Sequence, residues 1–304
     1  MLQMLRYAAM TGRKGSNMPG TLYLCATPIG NLQDMTPRVV ETLRAVDIIA
    51  AEDTRNSIKL LNHFDIHTPM TSYHEYNKVE KAEQLIGQLQ SGQNIALITD
   101  AGTPAISDPG EVLVRMCQGN DIPVTSLPGP AACITALTLS GLSTRRFCFE
   151  GFLSAEKKER KEILEELESE SRTIILYEAP HHLVRTLGEL AEVLGDRRIT
   201  LCRELTKKFE TVMPTTLMRA LEYYESEEPR GEYVLVIEGK SRMEKRREEI
   251  AAWEGVSIEE HMARYESRGM ERKAAMKQVA KDRGISRREV YACLNTMQLT
   301  ETGE

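Results

Sequence analysis

Short apolar segments alternate with longer amphipathic segments along the first half of this 304-residue chain. The apolar segments have the length of strands, and they read TLYLCA, DIIAAE, PMTSY, NIALIT and IPVTSL. Stretches with helical periodicity lie between most of them, for example residues 36–46 and 78–92. Apolar strands separated by helices are typical of a parallel sheet that helices cover on both faces. We therefore predict a parallel α/β domain over residues 18–140.

A second series of strand-like segments begins near Phe147 and reads RFCFEGFL, RTIILYEA, RITLCREL and GEYVLVIEG, with two helical stretches between them. This series predicts a second α/β domain over residues 141–240. After Gly239 the pattern is helical and highly charged, so residues 241–304 are expected to form a small helical extension. The predicted fold class is therefore α/β, with two α/β domains and a helical C-terminal extension.

Several helix starts carry local signals. Thr36 and Pro37 supply an N-cap and a first-turn proline. Asp108, followed by Pro109 and then by Glu111, predicts a capping box.

The end of the helical extension predicts two helices that meet at Gly284. Ser286 would cap the second helix, and Glu289 follows three residues later. This is the outline of a helix-turn-helix, although many helical hairpins share it. The pattern alone leaves open whether the segment binds nucleic acid.

The N-terminus and the cysteines indicate the cellular compartment in which the protein works. Residues 1–17 carry three basic groups and are followed by no apolar segment of signal-peptide length, so we interpret them as a disordered or mis-annotated extension before Met18. No apolar run approaches the roughly 20 residues of a membrane span. The six cysteines are scattered singly, which disfavours zinc and disulfides. We expect a cytoplasmic protein with no metal and no membrane contact.

The charge is distributed unevenly along the chain. Residues 18–239 contain 22 Lys and Arg against 33 Asp and Glu, a net charge of −11. Residues 261–293 contain 9 basic against 4 acidic residues, a net charge of +5. An acidic body with a basic appendage indicates a polyanionic partner for the appendage, or simply a solvated helical surface.

Five loops follow predicted strands, where open α/β sheets bind their ligands. They span residues 27–31, 52–55, 100–110, 128–132 and 177–182. Apart from Arg55, they lack the cations and glycine fingerprint of a phosphate site, and they are rich in proline and acidic groups. Such loops suit S-adenosylmethionine, which has a positive sulfonium, hydroxyls and no phosphate. Asp100 or Glu178 would accept from the hydroxyls, unless Asp100 caps a turn and Glu178 pairs with Arg185.

Nine segments together resemble the tetrapyrrole methylases, and among them the branch that methylates a cytidine ribose 2′-hydroxyl in small-subunit (16S) ribosomal RNA. They are TLYLCATPIGNLQDMT, AEDTRNSIKLLNHF, SYHEYN, ALITDAGTPAISDPGEVLV, SLPGPAACITALTLSGL, FEGFL, LYEAPHHLVRTL, CRELTKKFE and RGEYVLVIEG. The resemblance covers residues 20–240 in order and extends more loosely to residue 293. Precorrin methylases differ in the first loop, which is of the G-x-G-P-G-D kind. Ala155 departs from the proline that many relatives have there.

The resemblance implies two α/β domains with S-adenosylmethionine bound in the cleft between them, and a homodimer. The positions that match the donor-contacting residues of the family are Pro28, Asp100, Gly102, Thr103, Ser107, Pro128, Gly129, Pro130, Ala131, Tyr177, Glu178, Ala179, Gly231 and Glu232.

The implied reaction is an in-line displacement, in which a base nearby would take the hydroxyl proton. The candidate catalytic residues are Glu52, Asp53 and His74, with Glu75 beside His74. The segment AEDTR could instead be a salt-bridged helix start, and His74 a packed or surface side chain.

The implied partner is the small ribosomal subunit or its 16S rRNA. The candidate RNA-binding residues are Arg55, Lys157, Lys158, Arg160, Lys207, Lys208, Arg272, Lys273, Lys277, Arg287 and Arg288. Lys207 and Lys208 could also lie at a solvated strand end. Two other functions stay open at this point: a methylase of the same fold that acts on a tetrapyrrole or a protein side chain, and a non-catalytic helix-turn-helix binding protein.

Overall fold

A computed structural model describes residues 18–301 of the chain. The predicted extension over residues 1–17 lies outside the described residues. Within the described part, the chain divides into two compact units. The two-sheet unit comprises residues 18–168 and 172–238, and the helical unit comprises residues 169–171 and 239–301.

The first sheet of the two-sheet unit has five strands in the order β3-β2-β4-β1-β5. The strands are β1 (Leu22–Cys25), β2 (Ile48–Ala51), β3 (Met70–Ser72), β4 (Ile95–Ile98) and β5 (Val124–Leu127). Every neighbouring pair is parallel. Strands β2 and β4 are buried almost throughout, because helices cover both faces of the sheet. The predicted parallel sheet is confirmed.

The helices of this half are α1 (Pro37–Ala45), α2 (Thr54–His63), α3 (Lys78–Gln90), α4 (Gly110–Gly119) and α5 (Ala132–Leu139). Helix α1 begins as predicted, since the Thr36 hydroxyl accepts from the Val39 amide. The predicted capping box at Asp108 is wrong. Its carboxylate accepts from the amides of Ile106 and Gly110 instead, and α4 begins after Pro109.

The second sheet has the order β6-β7-β10-β8-β9. Its strands are β6 (Phe147–Phe152), β7 (Thr173–Glu178), β8 (Arg198–Arg203), β9 (Thr211–Thr216) and β10 (Tyr233–Ile237). Only β6 and β7 are parallel; the other described pairs are antiparallel. The sequence did not predict β9, because Pro214 interrupts its run. An edge strand tolerates this proline, which has no amide to donate.

The helices α6 (Lys157–Glu168), α7 (Pro180–Leu194) and α8 (Leu217–Ser226) pack on one face of the second sheet. The other face is covered by α5, which follows the last strand of the first sheet. Cys133, Ala136 and Leu137 of α5 form one buried cluster with Ile175 and Val236 of the second sheet. This apolar contact joins the two sheets.

The helical unit contains α9 (Arg242–Ala251), α10 (Ile258–Glu266), α11 (Arg272–Arg283) and α12 (Arg287–Glu301). Its core includes Met262, Val279 and Val290. Gly284 ends α11 in a left-handed conformation, and Ser286 and Glu289 exchange capping hydrogen bonds at the start of α12. The two sheets with their covering helices and the helical C-terminal region confirm the predicted fold class. The division at residues 140 and 240 stays a prediction, since both sheets lie in one compact unit.

Among the described helices, none has the length and apolar character that crossing a membrane requires.

Arg160 corrects one expectation about RNA contacts. Its side chain is only 8% exposed, and Nε donates to the Glu189 carboxylate at 2.6 Å. A second nitrogen donates to the Thr186 hydroxyl at 2.7 Å. Helical periodicity explains the difference, because Arg160 lies on the inward face of α6 with Leu164 and Leu167. Arg160 is therefore a structural residue and not an RNA contact.

We expect Arg160→Ala to lower the free energy of unfolding by about 2 to 3 kcal/mol, because Glu189 and Thr186 each lose a charged, buried hydrogen-bond donor and keep only Arg185 and Glu178, respectively, as partners. Lys158→Ala is the matched control on the same helix. Lys158 pairs with Glu162 at the surface, so its loss should change stability by under about 0.5 kcal/mol. Urea unfolding of both variants measures the difference, and equal stabilities would contradict the structural role of Arg160.

Candidate active site

Hydrogen bonds join three of the predicted ligand loops at the carboxyl ends of β1, β4 and β5. Thr27 and Gly102 exchange two backbone hydrogen bonds of 2.9 and 3.1 Å. The Thr27 hydroxyl donates to the carbonyl of Thr99, and the Thr103 hydroxyl donates to the carbonyl of Pro130 at 2.8 Å. The loops therefore form one connected wall at the carboxyl ends of the strands of the first sheet.

A cavity of about 450 Å³ lies between this wall and the second sheet. This volume suits a ligand of cofactor size. The predicted donor-contacting residues that line it are Asp100, Gly102, Thr103, Ser107, Ala131, Tyr177, Glu178, Ala179 and Glu232. The other predicted positions belong to the neighbouring turns and do not line the cavity within the described residues. They are Pro28, Pro128, Gly129, Pro130 and Gly231.

The charge of the lining is predominantly negative. Five carboxylate residues line the cavity: Glu52, Asp100, Asp108, Glu178 and Glu232. Within the part of the chain that the structure describes, Lys207 is the only basic lining residue. Its ammonium is held by Glu204 at 3.0 Å and by Glu232 at 2.8 Å. The cavity therefore favours a cationic ligand and disfavours a phosphate.

Glu178 is engaged inside the protein. Its side chain is buried, and its carboxylate accepts from the Ala179 amide at 2.8 Å and from the Thr186 hydroxyl. Arg185 pairs with Glu189, so the alternative pairing of Arg185 with Glu178 does not form. Glu178 thus begins a chain of polar contacts that continues through Thr186 to the buried Arg160.

Tyr177 connects the two sides of the cavity. Its hydroxyl accepts a hydrogen bond from the Cys133 amide at the start of α5, at 3.2 Å. The rings of Phe149 and Phe152 contact its ring in edge-to-face geometry, with centroids at 4.9 and 5.5 Å. Burial raises the pKa of Tyr177, so the hydroxyl stays protonated.

The three candidate catalytic residues lie in different environments. Glu52 lines the cavity, and burial, together with the nearby carboxylates of Asp100 and Asp108, raises its pKa. The Asp53 carboxylate caps α2 and pairs with Arg55, and these hydrogen bonds lower its pKa to about 2. The segment AEDTR is thus also a salt-bridged helix start.

His74 is not among the residues that line the cavity. Its Nδ1 is buried without a hydrogen-bond partner among the described residues, and its backbone amide donates to the Asn77 side chain at 2.8 Å. Glu75 forms an ion pair with Lys78.

Gly30 explains why the first loop can approach the second sheet. A Cβ atom at Gly30 would lie 2.4 Å from Cγ of Lys207, 2.8 Å from the Thr206 hydroxyl and 3.0 Å from the Leu205 carbonyl. The loop after β1 therefore packs directly against the loop after β8. The absence of a side chain serves this contact between loops.

Most of the other predicted RNA-binding residues are exposed. Arg55, Lys157, Lys158 and Lys208 lie on the surface of the two-sheet unit. The exposed positions of the helical unit are Arg272, Lys273, Lys277, Arg287 and Arg288. Lys207, in contrast, faces the cavity.

Phe152 also lines the cavity, although sequence analysis assigned it no role. The neighbouring Gly151 could have indicated a special position for Phe152, since a glycine inside a strand often marks a bulge.

Comparison with known proteins identifies sequences and structures that are similar to this chain. The family model for tetrapyrrole (corrin/porphyrin) methylases matches residues 21–221. The chain is 48% identical over 273 residues to ribosomal RNA small subunit methyltransferase I of a Synechocystis strain, covering 90% of the chain and 96% of the relative. The relative of the same name in Bacillus subtilis is 46% identical over 284 residues, covering 93% and 97%.

Solved structures share the fold at low sequence identity. Diphthine synthase has a TM-score of 0.59 at 13% identity, over 75% of this chain and 94% of that one. Uroporphyrin-III-C-methyltransferase from Thermus thermophilus has a TM-score of 0.51 at 17% identity, over 71% and 94%.

Gly30→Ala should lower the free energy of unfolding by about 1 to 3 kcal/mol, because the added methyl group pushes the loop after β8 away. Gly87→Ala is the control. Gly87 lies in α3 with no atom within 4 Å of its Cβ position, so alanine there should stabilise the helix by about 0.5 to 1 kcal/mol. Chemical denaturation compares the two. A Gly30→Ala protein as stable as the wild type would show that the loops do not need this close contact.

Proposed function

The chain belongs to the tetrapyrrole methylase family, and on this premise we propose that it methylates the ribose 2′-hydroxyl of a cytidine in small-subunit (16S) ribosomal RNA. It is a methyltransferase, and its methyl donor is S-adenosylmethionine. The observation that carries the proposal is the identity of 46 to 48%, over at least 90% of the chain, to relatives named for methylation of small-subunit rRNA.

The cavity supports binding of the donor between the two sheets. Its carboxylates favour a sulfonium, and the paired Lys207 leaves little positive charge for a phosphate. We assign the donor to the loops at residues 100–107 and 131–132 and to the end of β7 at residues 177–179. Pro28, Pro128, Gly129, Pro130 and Gly231 shape the turns that carry those residues.

When bound, S-adenosylmethionine supplies a methyl group that its sulfonium already activates. The chain must hold the acceptor oxygen in line and remove its proton. Of the candidates, Glu52 is the best placed to act as the base, because it lines the cavity and its raised pKa makes its carboxylate a better proton acceptor. Asp53 is a weaker base because its pKa is about 2.

The RNA-binding surface is proposed to consist of separate basic patches. The body of the protein is acidic, so general attraction does not bring RNA to it. The exposed cations of α11 and α12 and those at the start of α6 supply phosphate contacts. The substrate is the small subunit or its 16S rRNA, in the cytoplasm, and the enzyme acts as a homodimer.

The central test is transfer of label from S-adenosylmethionine to purified small subunits from a strain that lacks the enzyme. We expect label at one ribose, where the methylated 2′-oxygen resists alkaline cleavage. Mass spectrometry of the resistant dinucleotide identifies the nucleoside. Label on a base, or label that appears only on a porphyrinoid added in a parallel reaction, would contradict the proposal.

Glu52→Gln should lower kcat about 100-fold or more, while donor binding changes little because Asp100, Asp108, Glu178 and Glu232 still line the cavity. The wild-type rate should rise with pH through the pKa of Glu52, which lies above its ordinary 4.5, since the protonated carboxyl cannot accept a proton. This acid limb of the pH profile should be absent in the variant.

Glu75→Gln is the control, because Glu75 is exposed and lies outside the cavity lining. It should retain the wild-type kcat and pH profile. Full activity of Glu52→Gln would exclude Glu52 as the base and leave the rRNA assignment intact.

A further inference from the structure

A large apolar side chain is exposed at the cavity. Phe152 is the last residue of β6, lines the cavity, and is 58% exposed. Single exposed apolar residues are common on protein surfaces and need no explanation by themselves. Two features of the backbone make this one different.

The first feature is a β-bulge that sets the direction of the Phe152 side chain. Strand β6 pairs with β7 in register from Phe147 to Phe149, and then Gly151 pairs with the next residue, so Glu150 is an extra residue. In a regular strand, residues 149 and 152 would lie on opposite faces. The bulge shifts this alternation, and both Phe149 and Phe152 contact the ring of Tyr177.

The second feature is the conformation of Gly151. Its φ of +64° is in the left-handed region, and a Cβ atom there would lie 2.9 Å from the Ser107 hydroxyl. Gly151 therefore lets β6 approach the loop that lines the opposite wall of the cavity. The bulge interrupts the hydrogen bonds between β6 and β7, and the result is an exposed ring, so these features are not explained by stability.

The charge of the cavity limits what can attract an RNA strand there. Five lining carboxylates repel phosphates, and the amine of Lys207 is already paired with two carboxylates. A nucleotide must then be held through its base or sugar. Proteins bind unpaired RNA bases by stacking them on aromatic side chains, and this contact requires no charge.

We propose that the ring of Phe152 stacks on the base of the nucleotide whose ribose is methylated. The inference rests on the proposed function and adds a residue that positions the acceptor. An edge-to-face contact with Tyr177 supports the ring of Phe152, and Tyr177 is itself fixed by its hydrogen bond to the Cys133 amide. The target base must leave its RNA stack to reach Phe152, which restricts the reaction to an unpaired or opened nucleotide.

The test measures kcat, the KM for small subunits and donor affinity for four variants. Phe152→Ala should raise the KM for subunits about tenfold or more and leave the Kd for S-adenosylmethionine within about twofold. Phe152→Trp should restore the KM to within about threefold, because its ring also stacks. Phe152→Leu should behave like Phe152→Ala, because leucine is apolar but has no aromatic face.

Phe147→Ala is the control, because Phe147 is exposed at the opposite end of the same strand and does not line the cavity. It should match the wild type in all three constants. Restoration by leucine would show that the ring only packs, and a loss of donor affinity with an unchanged KM for subunits would assign the ring to the donor adenine. Either result overturns the proposal.

The activity of the wild-type protein distinguishes failure of the stacking proposal from failure of the proposed function. An active wild type with an unaffected Phe152→Ala variant overturns only the stacking contact. A wild type that transfers no methyl group to subunits overturns the proposed function, and the stacking contact with it.

Discussion

The packing of helix α5 against the second sheet is the contact on which the site depends. This helix continues the chain from the last strand of the first sheet, but its buried residues face Ile175 and Val236. The start of the helix therefore lies at the boundary between the sheets, where Ala131 and Ala132 line the cavity and the Cys133 amide reaches Tyr177. The same apolar cluster includes Cys202, Leu205 and Val234, which line the cavity, so its burial fixes the spacing of the polar groups around the cavity.

A buried polar chain supports the same boundary from the other side. Glu178 at the end of β7 is bonded to Thr186 on α7, which is bonded to Arg160 on α6. A buried carboxylate without hydrogen-bond partners would be unfavourable, and here each residue of the chain forms a hydrogen bond with the next. The end of β7 is therefore held in place by two helices, which keeps Tyr177 and Ala179 at the cavity.

The sequence predicted most of the features that depend on local pattern, although the capping box expected at Asp108 does not form. Apolar strands between amphipathic helices predicted the parallel sheet, and Thr36 and Ser286 marked helix starts correctly. The resemblance to tetrapyrrole methylases led to nine of the residues that line the cavity. These features need only residues that are near in sequence, or motifs with a known role.

The sequence could not reveal what distant residues decide. Strand β9 contains a proline, which the sheet tolerates because β9 is an edge strand. Only the topology shows that β9 lies at the edge. The spacing of Arg160 from Leu164 and Leu167 already places it on the inward face of α6, but its partner Glu189 lies 29 residues further along the chain and no local pattern specifies that pairing. The direction of Phe152 depends on one extra residue in the pairing of β6 with β7, which no pattern along β6 alone specifies.

The close approach of Gly30 to residues 205–207 has an evolutionary consequence. The two loops belong to different sheets and are far apart in the chain, yet there is no space between them for one additional carbon atom. A larger residue at position 30 would require a compensating change at position 206 or 207. Among descendants of this sequence, these positions should vary together or not at all, so that selection acts on the pair as on a single site.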